Sequence, residues 1–291
     1  MDFRKNDAKY VSEVIGCVLL LSMLLRLIAS LCFKNLLSIS VTDLFFRMGA
    51  ILLIDVFPAG WGVWILRRSK VTFPSEIRCS SLSKGLPVVL SSFGVIIILQ
   101  MLYMAFFPSV KIVDGIAFAE TPMQILWLFL SVSFVPAMAE EILFRVFLIR
   151  SLRVFRTSLC VLMSAIAFAL MHFSVAGFPL FFVYGLILGM AYVSTGSLAV
   201  AVSVHFLCNA FWFLSETMGV YMPEYEMLFM RCAFTVCVLL SVSGIPFLKE
   251  NLRVFFEGDD ERAIPSSYFW SLPTLLFVLF AAGIQLFFGG N

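Results

Sequence analysis

Long runs of apolar residues constrain this chain most, because each run is about as long as the hydrocarbon core of a membrane is thick. A membrane-spanning helix needs about 20 apolar residues. Runs that approach or exceed this length lie at residues 10–33, 43–66, 85–107, 122–149, 158–173, 176–195, 198–217, 227–248 and 268–288. Because the run at 158–173 is short and Pro273 breaks the run at 268–288, the pattern predicts eight or nine spans.

The composition is that of an integral membrane protein. Hydrophobic residues make up 62% of the 291 residues and charged residues 13%, against roughly 45–50% and about 25% in soluble proteins. No soluble domain fits between the apolar runs. We therefore predict an all-α fold, a polytopic transmembrane helix bundle, with residues 1–291 forming a single integral membrane domain. The first run is longer than the core of a signal peptide, so we expect it to be a retained span.

Basic residues indicate how the spans are oriented. Most of the 20 lysines and arginines lie before the first run or after the second, fourth and eighth. The intervening loops are poor in basic residues and carry Asp114, Glu224 and Glu226. Since cytoplasmic loops hold an excess of Lys and Arg, we predict a multi-pass protein of the cell membrane, simplest as a prokaryotic inner membrane, with a cytoplasmic N-terminus. The expected surroundings are the lipid bilayer, and we expect no nucleic-acid partner.

Polar and ionisable groups inside three of these runs are the candidate functional residues. Such groups are costly in hydrocarbon and by default mark a functional site. The set comprises two carboxylates, one guanidinium, both histidines of the chain and one amide: Glu140, Glu141, Arg145, His172, His205 and Asn209. Together they supply what a buried acid–base site needs.

The predicted topology brings these groups to a similar depth. At the helical rise of 1.5 Å per residue, Glu140 lies about 15 Å below the inner boundary of the fourth span. His205 and Asn209 lie roughly 12 and 18 Å in from the inner end of the seventh. His172 comes out deeper, at about 24 Å, and a tilted fifth span or an inward connection at 150–157 would remove that difference. We therefore expect the groups to meet inside the membrane.

Spacing along the helices separates the two glutamates. Glu141 and Arg145 are four residues apart and share a helix face, so we interpret them as a pair that fixes the helix. Glu140 points about 100° away and faces a different partner. An unpaired buried carboxylate is costly unless it serves a purpose, which makes Glu140 the stronger candidate for chemistry.

The histidines each allow two readings. His172 is either an ordinary interfacial residue or a catalytic one. His205 and Asn209 lie on one helix face, where an imidazole and an amide can donate hydrogen bonds to a developing oxyanion or form a polar clasp between helices.

Other polar residues of the spans receive structural interpretations. Asp55 lies three residues before Pro58 and is expected to satisfy backbone groups freed by the proline kink. Arg26 is expected to snorkel or to pair. The cysteines contain no C-x-x-C pair and are interpreted as packing residues.

Three motifs carry a resemblance to a known family. They are E-E-x-x-x-R at 140–145, F-x-x-x-H at 168–172 and H-x-x-x-N at 205–209. In this order, on successive core helices, they resemble the CPBP family, which comprises CAAX proteases and bacteriocin-processing enzymes and is also called the Abi family. The resemblance has no departure at any motif position and covers roughly residues 120–215, the catalytic core helices of this type.

The resemblance implies an intramembrane endopeptidase of the glutamic type. By position, Glu140 with His172 would activate a water as general base. The substrate would be a membrane-associated or lipidated peptide or protein that reaches the site from the membrane or the cytoplasm. The resemblance implies neither a cofactor nor a metal.

The remaining motif residues receive supporting roles from the same resemblance. His205 and Asn209 would stabilise the oxyanion of the tetrahedral intermediate. Glu141 and Arg145 would hold the geometry of the site.

Three alternatives stay open. A metal-dependent membrane protease could use the same glutamates and histidines as ligands, although the sequence lacks H-E-x-x-H. A proton-coupled transporter could use Asp55 and Gln100 as relay groups, although no inverted repeat is visible. The third is a non-catalytic membrane scaffold or immunity protein. The sequence leaves the substrate, the cleavage site, the oligomeric state and any prenylation of the substrate open.

Overall fold

Helices form all the regular structure in the part of the chain that is described. The computed structural model describes residues 5–33, 41–69, 82–107, 119, 121–153, 156–245, 249 and 271–288. The first three helices are α1 (Lys5–Phe33), α2 (Val41–Arg68) and α3 (Leu82–Phe106). After the segmented helix at 122–152 come α7 (Thr157–Leu170), α8 (Phe178–Thr195), α9 (Leu198–Tyr221), α10 (Pro223–Ser243) and α11 (Leu272–Phe288).

The helix at 122–152 changes pitch along its length. It consists of α4 (Pro122–Phe129), π-helical turns at Leu130–Phe134, α5 (Val135–Glu141), further π-helical turns at Ile142–Ile149, and α6 (Arg150–Leu152). Pro136 explains the first change, because a proline has no N–H to donate and its ring clashes with the carbonyl four residues earlier. The chain widens before it, and the Val135 N–H bonds to the carbonyl of Leu130, five residues back. Such π-turns often mark functional sites.

The helices confirm the predicted all-α membrane bundle. Within the described residues, six helices are long and apolar enough to cross a membrane, and α7 and part of α11 are shorter apolar helices. The segmented helix accounts for the remaining predicted span. The number of crossings, eight or nine, stays a prediction.

The observed helices differ from the predicted spans at their ends by several residues, as the fifth, eighth and ninth spans illustrate. α7 ends at Leu170, so His172 lies in the following turn and not in the helix. Pro273 does not interrupt the last helix. It lies in the first turn of α11, where a proline is tolerated because the N–H it lacks has no helical partner there. α10 begins at Pro223, four residues before the predicted start. The predicted residues 246–248 and 268–270 lie outside the described residues.

α7 and α8 pack closely because α8 carries glycines one turn apart. A Cβ on Gly185 would lie 3.0 Å from the Cα of Ala165, and one on Gly189 would lie 2.8 Å from a methyl group of Val161. Small residues at this spacing let membrane helices approach each other closely. The contact places the end of α7, with its histidine turn, against α8.

A two-residue connection fixes α9 beside α8. Gly196 ends α8 in the left-handed conformation, with φ of 64°, and its N–H bonds to the carbonyl of Tyr192 at 2.8 Å. Glycine has no Cβ to clash in this conformation. α9 begins two residues later, so the two helices run antiparallel as neighbours.

α5 occupies the centre of the described helices. It packs against α2 on one side and α9 on the other, and α2 in turn packs against α1. Buried apolar side chains from Val11 to Ile284 form a continuous hydrophobic cluster around it. Polar groups on α5 are therefore shielded from lipid and face three other helices.

Candidate active site

Glu141 is fully buried and is the centre of one polar network. Arg145 Nε donates to Glu141 Oε2 at 2.7 Å, and Arg145 Nη2 donates to Glu141 Oε1 at 3.4 Å. The contact expected from the four-residue spacing is therefore present. His205 Nδ1 lies 3.0 Å from Glu141 Oε1, a contact that the sequence interpretation did not include. Arg145 Nη1 also donates to the Ser164 hydroxyl on α7 at 2.8 Å.

This network ties three helical segments together. Ser164 Oγ donates to the carbonyl of Phe144 at 3.2 Å, so α7 is bonded to the segmented helix at two points. Both Arg145 and Glu141 have no exposed side-chain surface. An ion pair buried in this way is strongly destabilised when one partner is removed. The arrangement fits a structural role for the pair.

Glu140 points away from the Arg145 pair and has one oxygen without a hydrogen-bond partner among the described residues. Arg26 Nη2 on α1 donates to Glu140 Oε1 at 3.1 Å. Glu140 Oε2 is buried and has no hydrogen-bond partner among the described residues. It lies 3.9 Å from Nε2 of His205. A buried carboxylate oxygen without a donor is unfavourable unless a water or a ligand occupies the space in front of it.

Arg26 and Asp55 form part of this cluster, and the sequence interpretation of Asp55 was wrong. The Asp55 carboxylate accepts a hydrogen bond from Arg26 Nη2 at 2.7 Å and another from the Ser22 hydroxyl at 3.0 Å. Its partners are therefore side chains of α1, not backbone groups freed by Pro58. Arg26 pairs and does not snorkel, because both carboxylates lie within its reach inside the bundle.

His172 is half-buried in the turn that ends α7. Its Nδ1 lies 2.7 Å from the carbonyl of Phe168, and its ring stacks on Phe181 with the ring centroids 4.0 Å apart. A carbonyl can only accept, so Nδ1 carries the proton and Nε2 of the neutral ring is an acceptor. Phe173 follows with φ of 51°, a left-handed conformation that costs a non-glycine residue roughly 1–2 kcal/mol.

The side chains of Glu140 and His172 are not in direct contact. No hydrogen bond or ion pair joins these two described side chains, and Glu140 instead contacts Arg26 and approaches His205. The ring of Phe168 packs against both histidines, 4.5 Å from the His172 ring and 5.8 Å from the His205 ring by centroids. The three motifs therefore converge on one place, with Phe168 as the spacer.

Asn209 lies one turn after His205 on α9 and is half-buried. Its side-chain amide has no hydrogen-bond partner in the described part of the chain.

Two further polar side chains contact α9. Tyr184 packs edge-to-face on the His205 ring, 5.2 Å between centroids, and donates to the His205 carbonyl at 3.2 Å. Gln100 is bonded to Trp212 at 2.7 Å, so it links α3 to α9.

The charges of the cluster are nearly balanced. With both imidazoles neutral, the carboxylates of Asp55, Glu140 and Glu141 face the guanidinium groups of Arg26 and Arg145. One additional proton within the cluster would make it neutral. Over the residues that the structure describes, His, Cys, Asp and Glu side chains form no group of three or more with the arrangement that a metal ion needs.

The comparison with known families agrees with the three motifs. Residues 122–211 match the family model described as type II CAAX prenyl endopeptidase Rce1-like. We refer to residues 122–211, which are similar to this family, as the Rce1-like segment. This match confirms the resemblance to the CAAX proteases of the CPBP family. No curated protein and no solved structure gives a significant match to the chain.

The Rce1-like segment contains every motif residue but not every residue of the cluster. It begins at the first residue of α4 and ends within α9, so the two glutamates, Arg145, both histidines and Asn209 lie inside it. Arg26 and Asp55 lie outside it, on α1 and α2. The depth of Asp55, read from the sequence, could have indicated that this residue belongs to the site. Counted back from Arg67 at the helical rise, Asp55 lies about 18 Å into the second span, close to the depth of Glu140.

Proposed function

We propose that this protein is a CAAX-type intramembrane endopeptidase that hydrolyses a peptide bond with a water activated by Glu140. The observation that carries the proposal is the free oxygen of Glu140: Oε2 is buried, has no described partner and lies 3.9 Å from His205 Nε2. The other oxygen of the same carboxylate is held by Arg26. One oxygen is thus fixed and the other is free to take a proton.

The chemistry needs one proton acceptor and one acid. Glu140 removes a proton from a water molecule while the water oxygen attacks the carbonyl carbon of the scissile bond. The electron pair of the carbonyl moves to its oxygen, and a tetrahedral intermediate forms. Glu140 then returns the proton to the leaving nitrogen, and the carbon–nitrogen bond breaks as the carbonyl re-forms. A positioned carboxylate contributes about 10²–10⁴-fold to such a reaction.

His172 has the geometry of a water-orienting group in this scheme. Because its Nδ1 donates to the Phe168 carbonyl, its Nε2 is left to accept a hydrogen bond from the second O–H of the water. Stacking on Phe181 fixes the ring plane. We therefore keep His172 as the partner of Glu140 through the water, without direct contact between the two side chains.

His205 and Asn209 are proposed to bind the oxyanion. The Nδ1 of His205 faces the carboxylate of Glu141 and donates to it, so a hydrogen bond to an oxyanion must come from Nε2. Nε2 can donate to an oxyanion only when both ring nitrogens carry a proton. The amide of Asn209, without a partner in the described part of the chain, would provide the second donor. Donors already in position at a developing oxyanion contribute strongly in a dry site.

The proposed location and partners follow from the distribution of charge and apolar residues. We place the protein in the cell membrane of a prokaryote, as an inner-membrane protein with the N-terminus in the cytoplasm. Its substrate would be a membrane-associated or lipidated peptide or protein that enters from the bilayer or the cytoplasm. We propose no cofactor and no nucleic-acid partner.

The test uses purified protein in proteoliposomes and two peptides of identical sequence, one farnesylated at a C-terminal CAAX motif and one unmodified. Glu140→Gln keeps the shape of the side chain and removes the base, so cleavage should fall by at least about 10²-fold while thermal stability is retained. Glu224→Gln, at an exposed residue of α10, is the matched control and should cleave normally.

The same experiment separates the alternatives. Wild-type cleavage by Glu140→Gln would contradict the glutamate mechanism. Absence of cleavage by the wild type for both peptides would contradict the CAAX specificity. Membrane peptidomes of cells carrying the wild type or Glu140→Ala would then identify a different substrate, and identical peptidomes would support a non-catalytic scaffold.

A further inference from the structure

Two helices outside the Rce1-like segment reach the proposed general base. Arg26 on α1 donates to Glu140 Oε1, and the same nitrogen donates to Asp55 on α2. We propose that Arg26 is a positioning residue for Glu140 and that Asp55, with Ser22, holds Arg26 in place. The working site would then extend beyond the six motif residues to α1 and α2. This inference rests on the proposed role of Glu140 as the base.

The hydrogen bonds fix Arg26 from both sides. Asp55 has a side chain that is only 1% exposed. One of its oxygens binds Arg26 Nη2 at 2.7 Å and the other accepts from Ser22 Oγ at 3.0 Å. Because both oxygens of Asp55 are occupied, its carboxylate cannot rotate without losing a buried bond. The position of Arg26 is therefore set by α1 and α2 before Glu140 is considered.

The hydrogen bond from Arg26 to Glu140 determines which oxygen of Glu140 can act as the base. The bond of 3.1 Å from Arg26 holds Oε1 and leaves Oε2 directed toward His205, 3.9 Å from its Nε2. Without Arg26, the carboxylate could turn about its terminal bond and face either direction. A displacement of about 1 Å at a reacting group can lower a rate by about 10²-fold. The arginine thus acts through Glu140 and does not need to touch the substrate.

Asp55 also explains how a positively charged arginine can lie beside a general base without neutralising it. A lone guanidinium would neutralise Glu140 with a full positive charge. Here the charge of Arg26 is already matched by Asp55, so the pair as a whole is neutral and presents a hydrogen-bond donor to Glu140. If the only role of Arg26 and Asp55 were to link α1 to α2, the contact of Arg26 with Glu140 on α5 would not be needed.

The decisive variant removes both charges of the pair together. Arg26→Met alone leaves both Asp55 and Glu140 buried without their shared cation, which destabilises a protein strongly. The double variant Arg26→Met/Asp55→Asn removes the charge of Asp55, leaves only Glu140 to lose its partner, and should fold better than the single variant. We expect its kcat on the farnesylated CAAX peptide to be about 100-fold below the wild type, with KM unchanged. Arg231→Met, at an exposed arginine of α10, is the matched control and should leave kcat and KM unchanged.

A purely structural role predicts the opposite result. If Arg26 only clasps helices, the double variant should regain kcat together with its folding, and that outcome would overturn the inference. Arg26→Lys keeps the charge but loses the planar fork, so its kcat should lie between the wild type and the double variant. Wild-type kcat and KM in a folded Arg26→Lys protein would also overturn it.

The Glu140→Gln protein, measured beside these variants, separates two kinds of failure. If Glu140→Gln keeps the wild-type kcat, the proposed function fails and this inference fails with it. If Glu140→Gln is inactive while the folded double variant has the wild-type kcat, only the role of Arg26 is refuted.

Discussion

Replacing Arg145 with methionine should destabilise the protein strongly. The guanidinium has no exposed surface and makes three hydrogen bonds, two to Glu141 and one to Ser164. Methionine retains much of the packing but leaves the Glu141 carboxylate buried with only His205 beside it. Breaking a buried pair by removing one partner costs about 3–5 kcal/mol. We expect a loss of stability in this range, and lower protein abundance as a consequence.

The assay is reversible unfolding in mixed micelles with increasing SDS, followed by tryptophan fluorescence. A double-mutant cycle with Glu141→Gln measures the coupling, because the double variant leaves neither charge unpaired. Residues in one buried network typically show coupling energies of about 0.5–3 kcal/mol. The double variant should therefore be more stable than the sum of the two single losses indicates. Arg231→Met, at an exposed arginine, is the control for the loss of a charge as such.

One result would refute this interpretation of Arg145. If Arg145→Met unfolded at the wild-type SDS concentration but had lost cleavage, the arginine would act directly in the reaction. Additive losses in the cycle would show that Glu141 and Arg145 do not stabilise each other. Either outcome would remove the pair from its proposed role of holding the site.

Three further predictions concern packing, the oxyanion and metal. Gly189→Val should destabilise the protein by about 1–3 kcal/mol through overpacking, since a Cβ there already meets Val161 at 2.8 Å. Gly283→Val should not destabilise it, because nothing lies within 4 Å of its Cβ position. Equal melting temperatures of the two variants would contradict the close α7–α8 contact. Asn209→Ala should lower kcat by about 10²–10³-fold with little change in KM, and an unchanged kcat would exclude its amide from oxyanion binding. Cleavage should survive EDTA and phenanthroline, and the purified active protein should contain less than one metal ion per chain. Stoichiometric zinc whose removal abolishes activity, and whose addition restores it, would overturn the mechanism.

The sequence predicted the parts of the fold and site that follow from local periodicity. The apolar runs located the helices because their length is set by the membrane. The pairing of Glu141 with Arg145 followed from the helical repeat. Depth counting brought His205 to the level of the glutamates, and the structure places it in contact with Glu141 at 3.0 Å.

The remainder depends on tertiary contacts and on breaks in the helical repeat. Nothing in the sequence pattern predicts that α7 ends at Leu170, before His172, or that Phe173 is left-handed. Pro136 was the only sign of the first π-turn, and the turns at Ile142–Ile149 have no comparable sequence signal. Arg26 and Asp55 carry no motif, because their partners lie on other helices far away in sequence.

The orientation of the two adjacent glutamates gives the site its asymmetry. Neighbouring residues on a helix point about 100° apart, and the segments of π-helix on both sides alter the helical repeat around them. Both carboxylates approach His205 on α9, but their other partners differ. Glu141 meets a guanidinium and an imidazole that occupy its oxygens. Glu140 meets one nitrogen of an arginine that is shared with Asp55. The carboxylate with complete hydrogen bonding can hold structure but has no oxygen left for a water proton, whereas the incompletely bonded one has such an oxygen. Exchange of their roles would therefore require different partners on α1, α2 and α9, and not simply a shift of the glutamates by one residue.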